Sequence, residues 1–271
     1  MYNLETIRST CEINILDKRK EHMRGAYSSY WIKARTGTYG LMDYDLSIIN
    51  LINETLFFDQ ESALMEVGIG TGWPIASSLV AYNYDISGID ISSRLISKCM
   101  ADHPDIHAEV ADAENLPYVS NSFDFTYCVH SSWFFTDLIK ALSEMCRVTK
   151  SSGHVLIDIM NINNPYIKKN YQQHVFENTN FFGKLFKVVK NLAKFVLQSG
   201  SQDWPFLISQ TPSDPTTIIK QCQLHSSTVR LYSWLDNNLK EIAVSDSDNY
   251  GDHSRIVICC KLSIIAGVST G

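Results

Sequence analysis

Residues 64–73, LMEVGIGTGW, place Gly68, Gly70 and Gly72 directly after an apolar run. Glycine has no Cβ, so a backbone of this kind can turn tightly and approach a ligand closely. A dinucleotide-binding G-x-G-x-x-G loop would have its third glycine at position 73, where this chain has a tryptophan. The stretch therefore predicts a strand followed by a ligand-binding turn, for a ligand that does not need a pyrophosphate.

Short β-rich runs alternate with helical patterns on both sides of this stretch. The five runs are residues 62–67, 84–90, 105–111, 122–129 and 153–160. They are apolar enough to be strands covered on both faces, which is typical of a parallel sheet with helices on both faces. Two further runs, 227–234 and 254–262, predict two more strands, the last antiparallel, and we interpret the gap between them as a helix and a loop.

The rest of the chain predicts one domain with two additions. Residues 1–60 form an N-terminal helical extension with a helix at about 44–57, and residues 61–271 form the main domain, with a helical cap inserted at about 162–222. Within the cap, residues 183–198 predict a basic amphipathic helix. It could rest on an anionic membrane or simply present solvated lysines above a buried face, and we interpret it as part of a substrate cap.

Composition narrows the classes of partner. The chain has 271 residues and a net charge of -6, which argues against a general nucleic-acid-binding surface. It shows no signal-peptide pattern and no apolar run of about 18 residues, so we expect a cytoplasmic protein without a membrane span. The seven cysteines are scattered and predict buried, reduced thiols. No clustered His/Asp/Glu set indicates a metal site.

Two carboxylates lie where a nucleoside needs them. Asp90 ends the second predicted strand, where a carboxylate can accept hydrogen bonds from both hydroxyls of a ribose. Asp112 follows the third strand, where it could accept a hydrogen bond from the exocyclic amine of adenine. Since neither contact involves a phosphate, the pair predicts an adenosine-bearing ligand without pyrophosphate.

These motifs, in this order, resemble those of the class I S-adenosylmethionine-dependent methyltransferases, particularly the small-molecule branch (type 11-like). The resemblance rests on EVGIGTG (66–72), Asp90, ADAENLP (111–117) and SFDFTYCVHSSWFF (122–135), and covers about residues 60–160. It implies a Rossmann-like, seven-stranded, mostly parallel sheet in the order 3-2-1-4-5-7-6, with S-adenosylmethionine as the cofactor. Trp73-Pro74 is bulky for the helix start and departs from the family pattern.

The resemblance also implies roles for individual residues. The implied cofactor-binding residues are Glu66, Gly68, Gly70, Asp90, Ile91, Asp112, Ala113 and Val129. The implied acceptor-facing residues are Val129, His130 and Ser131. Trp133 and Phe134 begin the helix that we predict after the fourth strand, and we add Trp133 as a pocket wall. Tyr27, Tyr30 and Trp31 could form a lid that excludes water and contacts the substrate, or could be a surface helix that docks by its aromatic face.

His130 is the candidate catalytic residue. A histidine at this strand end could take a proton from an oxygen or nitrogen nucleophile near neutral pH. Methyl transfer from a sulfonium is an in-line displacement, however, so holding the acceptor in position could supply most of the acceleration. Proton transfer, substrate orientation and simple packing therefore remain open for His130.

The predicted function is transfer of a methyl group to a nitrogen or oxygen of a small metabolite, with secondary metabolism as one setting. The predicted partner is a small-molecule methyl acceptor and no nucleic acid. Two alternatives are a nicotinamide-dependent oxidoreductase on a related sheet and an inert cofactor-binding partner subunit. The acceptor and the oligomeric state are not readable from the sequence.

Overall fold

A computed structural model describes residues 20, 21, 23, 24, 41–57, 59–179, 210–244 and 247–263. Within these residues the strands are β1 (Ala63–Val67), β2 (Asp85–Asp90), β3 (His107–Val110), β4 (Phe123–Cys128), β5 (Thr149–Met160), β6 (Ser226–Leu235), β7 (Asn238–Ile242) and β8 (Arg255–Leu262). They form one sheet in the order β3-β2-β1-β4-β5-β8-β6-β7. The expected order is confirmed, since β8 occupies the place of the expected seventh strand, and β7 is an additional edge strand.

The first five strands are parallel to one another. Successive side chains of a strand point to opposite faces, and β1 shows this with Leu64 and Met65, which are fully buried in two different core clusters. Both faces of the sheet are therefore covered at its central strands, which explains why β1 and β4 are apolar runs without alternation. The prediction of cover on both faces is wrong for β3, which lies at the edge of the sheet and is mostly exposed.

The other half of the sheet is antiparallel. β8 pairs antiparallel with both β5 and β6, as predicted for the last strand. The predicted helix between the last two strands is wrong, because β6 and β7 form a hairpin there. Asp236 and Asn237 connect the two strands with positive φ values of 51° and 57°. Two consecutive residues in this conformation make the tight turn that matches strand twist, and Asp and Asn tolerate it best after glycine.

Besides the helical residues 20, 21, 23 and 24, the described part of the chain has six helices and two 3₁₀ turns. The helices are α1 (Asp43–Thr55), α2 (Ile75–Val80), α3 (Ser93–Asp102), α4 (Leu138–Val148), α5 (Pro165–Thr179) and α6 (Pro215–Gln223), and the 3₁₀ turns are Ser132–Phe134 and Ser247–Asp252. The helix predicted to begin at Trp133 and Phe134 begins instead at Leu138. Asp137 caps it by accepting a hydrogen bond from the Lys140 N–H, and so fixes its first turn.

Parts of the predicted additions lie outside the described residues. Residues 25–40, with Tyr27, Tyr30 and Trp31, and the predicted basic helix at 183–198 belong to this group. The predicted helix at 44–57 is present as α1, which packs against α2 and β7. Of the residues described, no helix is long and apolar enough to cross a membrane. The division at residue 60 and the cap limits stay predictions.

Candidate functional site

A cleft opens where the parallel strands β1 to β4 end. Its free volume, including the open mouth, is about 1030 Å³. The carboxyl ends of parallel strands meet at one edge of a sheet, so the turns after the four strands all contribute to its wall. Of the predicted residues, the wall includes Glu66, Gly68, Gly70, Asp90, Ile91, Asp112, Ala113, Val129, His130 and Ser131. The structure therefore brings together all eight predicted cofactor-binding residues.

The two cleft glycines in the turn after β1 have different surroundings. Gly68 and Gly70 have positive φ values of 81° and 59°. A Cβ added at Gly68 would lie 2.5 Å from the Cβ of Ser131, so this glycine allows the turn to pack against the loop after β4. A Cβ at Gly70 would meet no atom within 4 Å. Gly70 therefore leaves open space in the cleft wall that a ligand can occupy.

Asp90 lies beside that open space. Its Oδ2 accepts a hydrogen bond from the Gly70 N–H at 3.1 Å, and its Oδ1 accepts one from the Ser92 N–H at 2.9 Å. Burial raises the pKa of Asp90 to about 6, although these backbone donors work in the opposite direction. The Ile91 N–H is a third backbone donor to this carboxylate. A carboxylate can accept about four hydrogen bonds, so Asp90, which lines the cleft, keeps acceptor capacity for a ligand, as contact with a ribose diol requires.

A cation from the N-terminal residues reaches the other side of the cleft. Lys20 Nζ lies 2.7 Å from Asp112 Oδ2 and 2.7 Å from Glu114 Oε2. Burial, the largest single influence, would raise the pKa of both carboxyls, but the hydrogen bonds and charge of Lys20, together with hydrogen bonds from neighbouring groups, lower the pKa of each. Asp112 is therefore an ionised acceptor at neutral pH, as recognition of an exocyclic amine requires.

Glu114 links this cation to the loop before α4. Its Oε1 accepts hydrogen bonds from the Thr136 hydroxyl, from the Thr136 N–H at 3.1 Å and from the Asp137 N–H at 2.9 Å. Lys20, Glu114 and Thr136 all line the cleft, but sequence reasoning did not identify them. The adjacency of Glu114 to Asp112 was the one local signal. Nothing near residue 20 in the sequence marks Lys20 as a pocket residue.

The floor of the cleft is the loop after β4. The Ser131 hydroxyl donates to the Gly68 carbonyl at 2.9 Å, which ties this loop to the glycine turn. His130 lies 2.7 Å from Asp45 through Nε2 and 3.1 Å from Arg255 through Nδ1. Both of its ring nitrogens are thus occupied by protein groups. Its predicted catalytic role stays a prediction.

The predicted acceptor wall is only partly in the cleft. Ser131 lines it, together with Phe134 and Phe135. Trp133 is 92% buried and packs with Phe134, Met23 and Met160 in a separate small cluster instead of lining the cleft. The reason is the 3₁₀ turn at Ser132–Phe134, which directs successive side chains differently from the predicted α-helix. Its predicted substrate contact stays a prediction.

The cleft fits an adenosine-bearing cation. The wall combines open space over Gly70, spare acceptor capacity on Asp90 and an ionised Asp112. Four lining carboxylates, Glu66, Asp90, Asp112 and Glu114, face one lining ammonium, Lys20. Such an excess of negative charge favours a cationic ligand and disfavours a phosphate. Among the described residues, no group of three or more His, Cys, Asp or Glu side chains is arranged to hold a metal ion.

Comparison with known proteins agrees with this geometry. The sequence profile of a family described as a methyltransferase domain matches residues 65–157. The chain is 31% identical over 150 residues to a demethylmenaquinone methyltransferase of Staphylococcus haemolyticus, a match that covers 53% of this chain and 62% of that protein. It is 26% identical over 152 residues to an ajmaline N-methyltransferase of Rauvolfia serpentina, covering 51% and 50%. The matches thus span about half to three fifths of these relatives.

A solved structure shows the same fold. The crystal structure of a SAM-dependent methyltransferase from Thermotoga maritima superposes with a TM-score of 0.51 at 18% identity, covering 80% of this chain and 88% of that one. At this identity the similarity concerns the fold alone. The fold places the cleft at the carboxyl edge of the sheet, where ligands bind in open α/β sheets.

Proposed function

Since the chain belongs to the class I S-adenosylmethionine-dependent methyltransferases, whose cofactor is S-adenosylmethionine, we propose that it moves a methyl group to a nitrogen or oxygen of a small metabolite. The observation that carries the proposal is the partly buried Asp90 carboxylate beside the open space over Gly70, in one cleft with the ionised Asp112. When bound, the cofactor supplies an electrophilic methyl group on a sulfonium.

The residues of the chain would bind and orient in this proposal. Asp90 would accept from the two ribose hydroxyls, and Asp112 with the Ala113 backbone would bind adenine. Glu66, which is 6% exposed at the end of β1, would accept from the amino group of the methionine portion. Val129 and Ile91 would pack against the ligand from two sides. Pre-arranged contacts of this kind can supply much of the rate acceleration of an in-line displacement.

The charge of the cleft supports a small acceptor without phosphate. A nucleic acid would bring phosphates to a wall with four carboxylates and one ammonium, which is electrostatically unfavourable. An amine or a hydroxyl group has no such penalty. The apolar side chains of Phe134, Phe135 and Met23 in the same wall favour an acceptor with an apolar body.

Product analysis with labelled cofactor tests the proposal. The purified protein would be incubated with S-adenosylmethionine carrying a ¹³C-methyl group and a panel of small amines, alcohols, phenols and carbon acids. Mass spectrometry identifies labelled products, and the ¹³C chemical shift shows which atom carries the methyl group. We expect label on nitrogen or oxygen.

Asp90→Ala is the control variant, and it should lose the product together with cofactor binding. Label on carbon would contradict the nitrogen or oxygen assignment while leaving methyl transfer in place. Cofactor binding by calorimetry without a labelled product from either the panel or a cell extract would instead indicate an inert binding subunit.

A further inference from the structure

Four polar side chains meet behind the cleft floor, and we call them the floor network: Asp45, His130, Asp158 and Arg255. They come from α1, the loop after β4, β5 and the start of β8. Asp45 and Asp158 are fully buried, and His130 is 12% exposed at its side chain. Buried charges persist in proteins when they are paired and hydrogen-bonded. The network meets this condition through contacts that join four separate elements.

The hydrogen-bond chemistry fixes the tautomer of His130. Arg255 Nη2 lies 3.1 Å from His130 Nδ1. A guanidinium has donors and no acceptor, so Nδ1 must be the acceptor and cannot carry a proton. The other ring nitrogen, Nε2, lies 2.7 Å from Asp45 Oδ1 and donates its proton to that carboxylate. The ring is therefore a neutral Nε2–H imidazole with both nitrogens committed to the protein.

Arg255 is itself held on several sides. Its Nε donates to Asp158 Oδ1 at 3.3 Å, and its Nη2 donates to Asp158 Oδ2. Its guanidinium carbon lies 3.9 Å from the ring centroid of Tyr44 and 5.2 Å from that of Trp133. A guanidinium stacked on an aromatic face and paired with a carboxylate has little freedom. The donor to His130 is thus fixed in place.

The backbone of His130 is constrained as well. Its φ of 63° lies in the left-handed region, which is unfavourable for a residue with a Cβ. Its N–H points to Asp158 Oδ2 at 3.4 Å. Such a conformation persists when the surroundings hold it in several places. The next residue, Ser131, contacts Gly68, so the network and the glycine turn hold the loop between them.

We propose that Asp45, Asp158 and Arg255 are positioning residues that act through His130, and that His130 shapes the floor of the cofactor site instead of accepting the proton of the methyl acceptor. This inference rests on the proposed function for the identity of the ligand above the floor. It selects one of the roles that the sequence left open for His130. The reason is that a histidine without a free ring nitrogen has no lone pair to offer.

Nitrogen NMR of the whole chain tests the tautomer directly. In protein labelled with ¹⁵N-histidine, we expect His130 to show an unprotonated Nδ1 and a protonated Nε2, with its signals among the eight histidines assigned by loss in His130→Asn. Arg255→Met removes the donor to Nδ1 but leaves Asp45 in contact with Nε2, so we expect the Nδ1 signal to shift with the loss of its hydrogen bond while Nε2 stays protonated. A protonated Nδ1 in the wild type, or an unchanged Nδ1 signal in Arg255→Met, would overturn the proposal.

Binding of S-adenosylhomocysteine tests what the network does for the floor. We expect Arg255→Met to weaken binding by about fivefold or more, and Arg255→Lys, which keeps the charge and one donor, to stay within about twofold of the wild type. Arg230→Met is a matched control, because Arg230 also pairs with a carboxylate, Glu241, and lies over an aromatic ring, Tyr232, but on the strand β6 away from the cleft. It should bind like the wild type.

The outcomes separate the two proposals. Unchanged affinity in Arg255→Met, or equal losses in Arg255→Met and Arg230→Met, would contradict the positioning role. If Arg255→Met does not fold, the tautomer of the wild type and the affinity of Arg255→Lys still test the positioning role. A wild-type protein that binds no S-adenosylhomocysteine would contradict the proposed function, while the tautomer would still be measured independently.

Discussion

The effect of replacing Gly68 or Gly70 depends on what an added Cβ atom would contact. Gly68 and Gly70 share a left-handed backbone, but only Gly68 has a protein neighbour where its Cβ would be. A non-glycine residue in this conformation costs about 1 to 2 kcal/mol, and overpacking adds about 1 to 3 kcal/mol. The two positions therefore separate backbone strain from packing.

We expect Gly68→Ala to lower the free energy of unfolding by about 2 to 4 kcal/mol, and Gly70→Ala by about 1 to 2 kcal/mol. Urea denaturation measures both. Gly70→Ala should nevertheless lose about tenfold or more in affinity for S-adenosylhomocysteine, because its methyl group enters the open space of the cleft. Equal stability of the two variants would show that the contact with Ser131 does not constrain the turn.

The carboxyl of Asp90 gives cofactor binding a pH dependence. Its pKa of about 6 lies above the ordinary value of 3.8 because burial disfavours the charge. Donors from a ribose stabilise the ionised form, so binding requires loss of the proton. We expect the affinity for S-adenosylhomocysteine to rise about tenfold from about pH 5 to about pH 7. Calorimetry across this range measures it.

Asp90→Asn is the control for this pH effect, since the amide does not titrate, and it should bind weakly with little change over the same range. In the cofactor-free protein the raised pKa of Asp90 affects stability in the opposite direction from its effect on affinity. The folded state holds the proton more tightly than the unfolded state, so its free energy of unfolding should fall as pH rises between about 4 and about 6. Affinity that is independent of pH in the wild type would remove Asp90 from the ribose site.

At the scale of elements, charge holds the N-terminal helical residues against the cleft. Lys20 bridges Asp112 and Glu114, and Met23 lines the wall beside it. Burial alone would lower the pKa of Lys20, but the two carboxylates raise it. Because the pKa of both partners is lowered, the bridge is present at neutral pH and weakens in acid as they gain protons.

We expect Lys20→Met to speed dissociation of S-adenosylhomocysteine by about three- to tenfold, because the cleft loses the ion pairs that hold one wall in place. Stopped-flow fluorescence measures the rate. The wild-type rate should also rise with salt, since the side chains involved are 10 to 29% exposed and partly screened.

Lys98→Met is the comparison for this test, because it breaks an exposed ion pair with Asp102 within α3. Its dissociation rate should equal that of the wild type. Slower dissociation in Lys20→Met would mean instead that Lys20 competes with the ligand for Asp112.

For the whole molecule, ligand binding at the sheet edge should raise the free energy of global unfolding. A ligand at about 100 times its Kd stabilises the folded state by about 2.7 kcal/mol. For a chain of 271 residues this corresponds to a rise in Tm of about 5 to 10 °C. We expect this shift with S-adenosylhomocysteine and none with NAD, as measured by differential scanning fluorimetry. A comparable shift with NAD would contradict the cofactor assignment.

The additional strand β7 could not be predicted from local sequence patterns. Asp236 and Asn237 form the hairpin turn between β6 and β7, yet without glycine the pair is a weak signal, and a helix was predicted there. The edge position of β7 and its pairing with β6 are visible only in the folded sheet.

Local sequence patterns were sufficient to predict the parallel half of the sheet and the position of the cleft, because each strand and the turn that follows it are formed by contiguous residues. Asp90 ends its strand, Gly70 and Asp112 lie within three residues after theirs, and parallel pairing brings these strand ends together. The side chains that hold the site in place became visible instead from contacts between residues far apart in the chain. Lys20 and Asp112 are 92 residues apart, His130 and Asp45 are 85 apart, and Arg255 and His130 are 125 apart. Such contacts depend on how whole elements dock, which no local pattern encodes.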